Sequence, residues 1–190
     1  GNPFESKKPV DISKLGQKIK RNIVQSRRQA NHRKASKANV AHHYDLDDRL
    51  YDRFLDPWRQ YSCAYWRDDT PDLAAAQRAK IAHIVAKLDI APDHRVLDIG
   101  CGWGGMAIAI HKLTGAEVMG ITLSKEQLAY AREWAKREGV QDKVRFELVD
   151  YRDIKGPFDR IVSVGMFEHV GTRDFPAFFL KCRDLLTEEG

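Results

Sequence analysis

Apolar runs that alternate with amphipathic stretches divide residues 70–190 into strands and helices. Four short apolar runs predict buried strands at 95–100, 117–122, 143–149 and 158–164. Helical periodicity before, between and after them predicts helices at 70–88, 104–113, 125–138 and 174–186. This alternation is typical of a parallel α/β sheet with right-handed crossovers. Because open sheets of this type usually continue further, we expect the C-terminal strands to lie beyond Gly190.

Local signals mark the ends of several of these helices. The sequence TPD at 70–72 offers a hydroxyl cap, a proline for the first turn and an acid near the positive helix end. The sequence SKEQ at 124–127 has the form of a capping box. Further upstream, short helical pieces are expected within 46–55, and Pro57 should stop them. Four apolar residues of the first long helix should face inward: Ile81, Ile84, Val85 and Leu88.

The net charge of +5 is unevenly distributed along the chain. Residues 1–40 contain 11 Lys and Arg against Glu5 and Asp11, a balance of +9, whereas 41–190 contain 21 basic and 25 acidic residues, a balance of −4. A basic arm of this kind is attracted to phosphate on nucleic acid or on anionic lipid. We therefore divide the chain into a basic arm (1–40), a helical segment that covers a site (41–90) and an α/β core (91–190).

The basic arm also carries an apolar stripe, because Ile12, Leu15, Ile19 and Ile23 recur at helical spacing. One interpretation is a basic amphipathic helix that lies on a membrane surface. The other is a solvated arm whose stripe packs on the body of the protein. The sequence leaves both open.

The cysteines point to a reducing compartment. Cys63, Cys101 and Cys182 are odd in number, widely spaced and without a CxxC pair, which argues against a disulfide framework and against a zinc site. No apolar run reaches the roughly 18 residues that a membrane span needs, and no signal-peptide pattern opens the sequence. We expect a cytoplasmic protein without a metal.

A glycine-rich turn carries the first candidate chemistry. In VLDIGCGWGG (96–105), Gly100, Gly102 and Gly104 follow the first strand and open a helix, where nucleotide-like ligands bind in doubly wound sheets. A dinucleotide site would have an acid at the end of the second strand, but this sequence has Thr122 there. Asp98 instead suits a ligand with an ammonium group, such as S-adenosylmethionine.

Polar residues follow the other strands as well. VDYRD (149–153) and GMFEHVG (165–171) lie at the carboxyl ends of the third and fourth strands, where ligands bind in such sheets. Glu168 and His169 beside a cofactor could serve acid–base chemistry. YSCAYW (61–66) fits neither a strand nor a helix, and its polar atoms between aromatic rings indicate either a loop of the core or a surface that grips a ligand.

Four motifs together resemble the cyclopropane-fatty-acid synthase family of S-adenosylmethionine-dependent methyltransferases: YSCAYW, LDIGCGWGG, GITLSKEQ and VSVGMFEHVG. The resemblance covers about residues 40–190. It implies a class I methyltransferase fold, Rossmann-like, and transfer of a methylene or methyl group to the cis double bond of an unsaturated phospholipid acyl chain. The implied carbocation is deprotonated by a bound bicarbonate ion. The family's further bicarbonate-site histidine and tyrosine are expected beyond Gly190, and Asp47-Asp48 stand where the family commonly has Gly-Asn.

The resemblance also assigns roles to residues. It places Cys63 and Glu168 at the bicarbonate site, while Tyr65 and Trp66 are our own candidates for shielding the cation. The basic arm lies outside the match, but its charge fits a lipid substrate in an anionic membrane, so we expect peripheral association with the inner membrane through this arm. We expect no nucleic acid, and a homodimer is left open. Together with the glycine-loop argument, it gives these cofactor-binding candidates: Tyr61, Ser62, Asp98, Gly100, Gly102, Gly104, Thr122, Leu123, Gln127, Tyr151 and Arg152.

Two other functions remain open from the sequence. One is a small-molecule N-methyltransferase of the same fold, since segments like YSCAYW also occur among such relatives. The other is a cofactor-binding, membrane-associated module without catalysis. Salt-sensitive liposome binding, methyl transfer to an amine, and cofactor binding without turnover would distinguish the three.

Overall fold

A computed structural model describes residues 48–190. The basic arm (1–40) and its apolar stripe lie outside the described residues, as does the beginning of the 41–90 segment. The helices and strands, in chain order, are α1 (Asp48–Tyr51), α2 (Leu73–Leu88), β1 (Arg95–Ile99), α3 (Gly105–Thr114), β2 (Glu117–Thr122), α4 (Lys125–Arg137), β3 (Val144–Leu148), β4 (Arg160–Val162) and α5 (Phe175–Leu185). Two short 3-10 helices, Phe167–His169 and Thr172–Asp174, lie between β4 and α5.

The strands form one parallel sheet in the order β3-β2-β1-β4. Val96 of β1 pairs with Val118 of β2 on one side and with Arg160 of β4 on the other. The chain first winds outward through β2 and β3 and then crosses back to the far side of β1. The carboxyl ends of β1 and β4 therefore flank a topological switch point, which is where open α/β sheets bind ligands. The predicted α/β architecture is confirmed.

Helices cover both faces of the sheet, because successive strand residues point to opposite sides. Val96 packs on one face with apolar residues of α2, α3 and α4, including Ile81 and Trp134. Leu97 packs on the other face with residues of α5, including Phe178. Both faces of β1 are thus buried, as its continuous apolar run predicts.

The start of α2 differs from the prediction. The N-cap is Asp72, whose carboxylate accepts a 2.7 Å hydrogen bond from the backbone N–H of Ala75. Thr70 instead accepts a hydrogen bond from the Arg67 N–H through its hydroxyl, so it closes the preceding turn. The prediction of Thr70 as the cap was wrong because Asp72, two residues further along the chain, is an equally good cap.

The start of α4 follows the predicted capping box in one half. The Ser124 hydroxyl accepts a hydrogen bond from the Gln127 N–H, as the motif requires. The Ser124 N–H, however, donates to the Thr122 hydroxyl, which in turn donates to the Gln127 side-chain carbonyl at 3.0 Å. Gln127 is therefore held by Thr122 at the end of β2.

β4 is shorter than the predicted strand at 158–164. After Val162, the Ser163 hydroxyl donates to the backbone carbonyl of Ile99, an acceptor that a continuing ladder would use. Before Arg160, Phe158 forms an isolated parallel bridge with Leu186 instead. Side-chain and C-terminal partners thus replace the ladder at both ends of this strand.

Candidate functional site

A cleft of about 180 Å³ opens at the carboxyl ends of the strands, at the switch point between β1 and β4. We call it the central cleft. Ten of the predicted site residues line it: Tyr61, Ser62, Asp98, Gly100, Gly102, Thr122, Leu123, Gln127, Tyr151 and Arg152. His169 also lines it, whereas Cys63, Gly104 and Glu168 do not. The structure therefore brings together residues that are up to 108 positions apart in the sequence (61 to 169).

The glycine loop serves two different purposes. Gly102 has φ +55°, and a Cβ added there would meet no atom within 4 Å, so this part of the loop is open toward the cleft. A Cβ at Gly104 would lie 2.8 Å from Ala131 and 2.9 Å from Phe146. Gly104 thus permits α3 to approach α4 and β3 closely. Its contact with a ligand stays a prediction.

Asp98 provides a buried, uncompensated acceptor at the end of β1. The residue is 2% exposed, and its Oδ2 atom has no hydrogen-bond partner among the described residues. Burial raises the pKa of its carboxyl to about 7. Because a buried polar atom without a partner is rare in a folded protein, this oxygen marks a position where a ligand group would bind.

The far side of the cleft is formed after β3. Arg152 donates from Nε to Asp150 at 2.8 Å, and this hydrogen bond raises the pKa of the guanidinium. Asp150 is 7% exposed and was not among the predicted site residues. Tyr151 is also buried, and its ring packs edge-on against Phe178 at 5.1 Å. The ion pair of Arg152 and Asp150 keeps this wall of the cleft polar without a net charge.

Residues 56–65 cover the cleft from the other side. Both carboxylate oxygens of the buried Asp56 accept backbone hydrogen bonds, from Trp58 at 2.9 Å and from Gln60 at 2.8 Å. Arg59 adopts φ +46°, a left-handed conformation that is unusual for a residue with a side chain. These contacts fold the segment sharply, so that Tyr61 and Ser62 reach the cleft.

Arg59 and Trp103 belong to the cleft as well, although the sequence did not identify them. The Arg59 guanidinium lies 3.9 Å from the ring centroid of Tyr130 and 5.1 Å from that of Trp103, in cation–π geometry. Arg59 also pairs with Asp52. The presence of Trp103 inside the glycine motif was visible in the sequence, but its aromatic partners come from α1 and α4.

The two predicted catalytic residues are both exposed. Cys63 and Glu168 lie on the surface, outside the lining of the central cleft. Tyr65 stacks on His83 with a centroid distance of 4.9 Å, and Trp66 is 57% exposed, so neither ring lines the cleft. The roles of Cys63 and Glu168 stay predictions, as does the shielding role of the two rings.

Two negative findings apply to residues 48–190. No group of His, Cys, Asp and Glu side chains in this range is arranged to hold a metal ion. None of the helices in the same range is both long enough and apolar enough to span a bilayer.

The arrangement of the sheet, the glycine loop and the switch-point cleft define a class I methyltransferase fold. The same fold occurs in the mycolic acid cyclopropane synthase CmaA1, solved with SAH and CTAB. That structure has a TM-score of 0.76 and 39% identity, and the match covers 80% of this chain and 53% of that one. Residues 31–190 match the family described as mycolic acid cyclopropane synthetase, and the chain belongs to this family.

Two relatives illustrate the match. The chain is 49% identical over 148 residues to the cyclopropane-fatty-acyl-phospholipid synthase of Escherichia coli (strain K12), and the match covers 78% of this chain and 37% of the relative. It is 41% identical over 154 residues to cyclopropane mycolic acid synthase 1 of Mycobacterium tuberculosis, and this match covers 80% of this chain and 53% of the relative. The chain thus spans about two fifths to one half of these relatives' lengths.

Proposed function

We propose that the protein binds S-adenosylmethionine in the central cleft and transfers a methylene or methyl group to the cis double bond of an unsaturated phospholipid acyl chain. The observation that carries the proposal is Asp98, a buried carboxylate with an unused oxygen, beside a glycine loop that is open to the cleft. Family membership supports the reaction class, since relatives at 49% and 41% identity are named as cyclopropane synthases.

The residues of the cleft fit this cofactor. Asp98 can accept a hydrogen bond from an ammonium group, and the backbone at Gly102 leaves room for the ligand to approach. Thr122 ends β2 and Gln127 lies in the first turn of α4, and both line the cleft, so their side chains can hydrogen-bond polar atoms of the cofactor. When bound, S-adenosylmethionine supplies an electrophilic methyl group on a sulfonium.

The 56–65 segment would close the site against water. Tyr61 lies at the mouth with 56% of its surface exposed, and its ring is 5.7 Å from that of Tyr51 and 6.1 Å from that of Phe54. An exposed aromatic group next to a cofactor site is suited to contact an acyl chain. Exclusion of water matters here, because water would trap a carbocation formed from the alkene.

A bicarbonate ion would serve as the base for the proton released on ring closure. The resemblance assigns this ion to Cys63 and Glu168, both of which are on the surface of the described part of the chain. Glu168→Gln in the complete protein should therefore slow turnover and leave cofactor affinity unchanged. Turnover at the wild-type rate, with the same response to added bicarbonate, would contradict this part of the proposal.

Localisation at the inner membrane surface is also part of the proposal. Its support is the +9 balance of residues 1–40, which would attract anionic lipid headgroups from the cytoplasmic side. The complete protein should bind vesicles that contain an anionic lipid and should lose this binding as salt is raised. Equal binding to neutral vesicles, or tighter binding to DNA, would contradict it.

Mass spectrometry of phospholipids tests the reaction itself. Cells that lack such an enzyme and express the complete protein should contain unsaturated acyl chains heavier by one CH₂ group. Degradation of the product would then separate a cyclopropane ring from a methyl branch. An unchanged lipid profile, combined with methyl transfer to an amine, would replace the lipid substrate by a small molecule.

A further inference from the structure

Lys80 is a buried lysine that does not line the central cleft itself but hydrogen-bonds a serine that does. It is 7% exposed on α2, and its Nζ atom donates a 2.7 Å hydrogen bond to the hydroxyl of Ser62, which lines the central cleft. This is the sole hydrogen bond of the Lys80 ammonium within residues 48–190. An ammonium has three donors, so this one is buried with most of its hydrogen-bonding capacity unused. Such an arrangement is unfavourable for folding and calls for another explanation.

The same part of α2 holds the backbone around Ser62. The Gln77 side-chain amide donates to the backbone carbonyl of Ser62 at 2.9 Å and to that of Gln60 at 3.3 Å. The backbone N–H of Tyr65 donates to the carbonyl of Ala76 at 3.2 Å. Backbone attachment is therefore supplied without Lys80. Among the described residues, the Lys80 ammonium donates a hydrogen bond to the Ser62 hydroxyl and to no other group.

The polarity of that hydroxyl follows from the charge of Lys80. An ammonium can only donate, so Ser62 must accept, and the hydroxyl hydrogen must point elsewhere. Among the described residues no acceptor takes this hydrogen. Ser62 is thereby kept as a hydrogen-bond donor, next to a positive charge, in the wall of the cleft.

We propose that Lys80 is a positioning residue that fixes the Ser62 hydroxyl as a donor to a carboxylate in the central cleft. This inference rests on the proposed function, where the carboxylate is that of the amino-acid end of the cofactor. Asp98 would receive the ammonium group of the same amino-acid end, so the cleft offers one acceptor and one charge-supported donor for its two charges.

The charge of Lys80 makes the arrangement sensitive to pH. Burial lowers the pKa of Lys80 to about 8, while the negative charges of Asp56 and of an ionised Cys63 act in the opposite direction. These two groups belong to the segment packed against α2, and within residues 48–190 they are the charged groups that act on Lys80. When Lys80 loses its proton, Nζ becomes an acceptor, and the Ser62 hydrogen can turn toward it and away from the ligand.

The test is calorimetric titration with two probes. S-adenosylhomocysteine has the amino-acid end, and methylthioadenosine lacks it. Lys80→Met should weaken binding of S-adenosylhomocysteine roughly 10-fold at neutral pH, the value of one charge-assisted hydrogen bond, and leave methylthioadenosine unaffected. The matched control is Lys87→Met, which removes an exposed lysine from the same helix and should change neither affinity.

The pH profile and the double variant separate positioning from a structural role. Wild-type affinity for S-adenosylhomocysteine should fall as pH rises through about 8. Neither Ser62→Ala nor Lys80→Met should show this fall in S-adenosylhomocysteine affinity. The double variant should bind S-adenosylhomocysteine no more weakly than either single variant. An equal loss of both probes in Lys80→Met, or an unchanged profile, would overturn the proposal while the cofactor site stands. Failure of the wild type to bind either probe would overturn the proposed function as well.

Discussion

Replacement of Asp98 by asparagine should stabilise the ligand-free protein above neutral pH. The wild-type carboxyl is 2% exposed at the end of β1, and its Oδ2 atom has no partner among the described residues. Once ionised, it is a buried charge without compensation. Asparagine has nearly the same shape and cannot ionise. The variant therefore removes the charge and preserves the packing around it.

The size of the effect follows from the pKa. Burial raises the pKa of Asp98 from its ordinary 3.8 to about 7, and each tenfold change in proton affinity corresponds to about 1.4 kcal/mol. Because the folded-state pKa is the higher one, the destabilisation is absent at pH values below the unfolded pKa, grows between the two pKa values and is complete above about pH 7. The full destabilisation is then about 4 kcal/mol.

Urea unfolding at two pH values measures the destabilisation caused by the ionised Asp98 carboxylate. At about pH 5 only about a third of the interval between the unfolded-state pKa of 3.8 and the folded-state pKa of about 7 has been crossed. The gain in unfolding free energy of Asp98→Asn over the wild type should therefore grow by about 3 kcal/mol between pH 5 and pH 8.5. Asp142→Asn, at an exposed position, is the matched control and should show no such growth. An advantage of Asp98→Asn that is the same at both pH values would refute the assignment of a buried, uncompensated carboxylate.

The same variant should have the opposite effect on ligand binding. An ammonium group that pairs with Asp98 compensates the buried charge, and a hydrogen bond to a charged group contributes about 1.5–3 kcal/mol. Asp98→Asn should therefore weaken S-adenosylhomocysteine binding by roughly 10- to 100-fold by calorimetry at about pH 8. A variant that is more stable and yet binds as tightly as the wild type would contradict the role of Asp98 in the cleft.

Three further variants test separate features. Gly102→Ala places a methyl group where the backbone is open to the cleft, so S-adenosylhomocysteine affinity should fall at least 10-fold. Because alanine is unfavourable at the left-handed φ of +55°, the variant should also lose about 1 kcal/mol of stability. Unchanged affinity would mean that the loop does not contact the ligand. Gly105→Ala would bring a Cβ to 1.9 Å from the Trp58 carbonyl oxygen, and urea unfolding should show a loss of about 1–3 kcal/mol. Wild-type stability there would mean that the 56–65 segment does not pack on α3. For Lys80, the pKa of about 8 in the fold lies below its ordinary 10.5, so wild-type stability should rise between these pH values and that of Lys80→Met should not. Parallel curves of melting temperature against pH would contradict a buried Lys80.

The sequence was sufficient to predict the order of the elements and the position of the cleft. The apolar runs of β1 and β2 and the glycines after β1 are local signals, and each element depends mainly on its own residues. The cap at Ser124 is likewise a matter of residues three apart. Ten predicted residues line the cleft, because parallel strands of this order place their carboxyl ends side by side.

The missed features depend on contacts between distant residues. Lys80 meets Ser62 across 18 positions, and a single lysine on a helix with an apolar stripe ordinarily indicates the solvent face. Arg59 gains its place from rings of α4 and the glycine loop. The end of β4 is decided by the Ser163 hydroxyl, which bonds to Ile99 64 positions earlier. Periodicity cannot show such partners, since each is set by the folded topology.

The most direct measurement is calorimetric titration of S-adenosylhomocysteine into the chain of residues 1–190 at about pH 8, where Asp98 is ionised. We expect one binding site, weakened by both Asp98→Asn and Gly102→Ala and unaffected by Asp142→Asn. A chain that is folded by circular dichroism and binds no S-adenosylhomocysteine would contradict the assignment of the central cleft. Binding that none of the variants weakens would place the cofactor somewhere else.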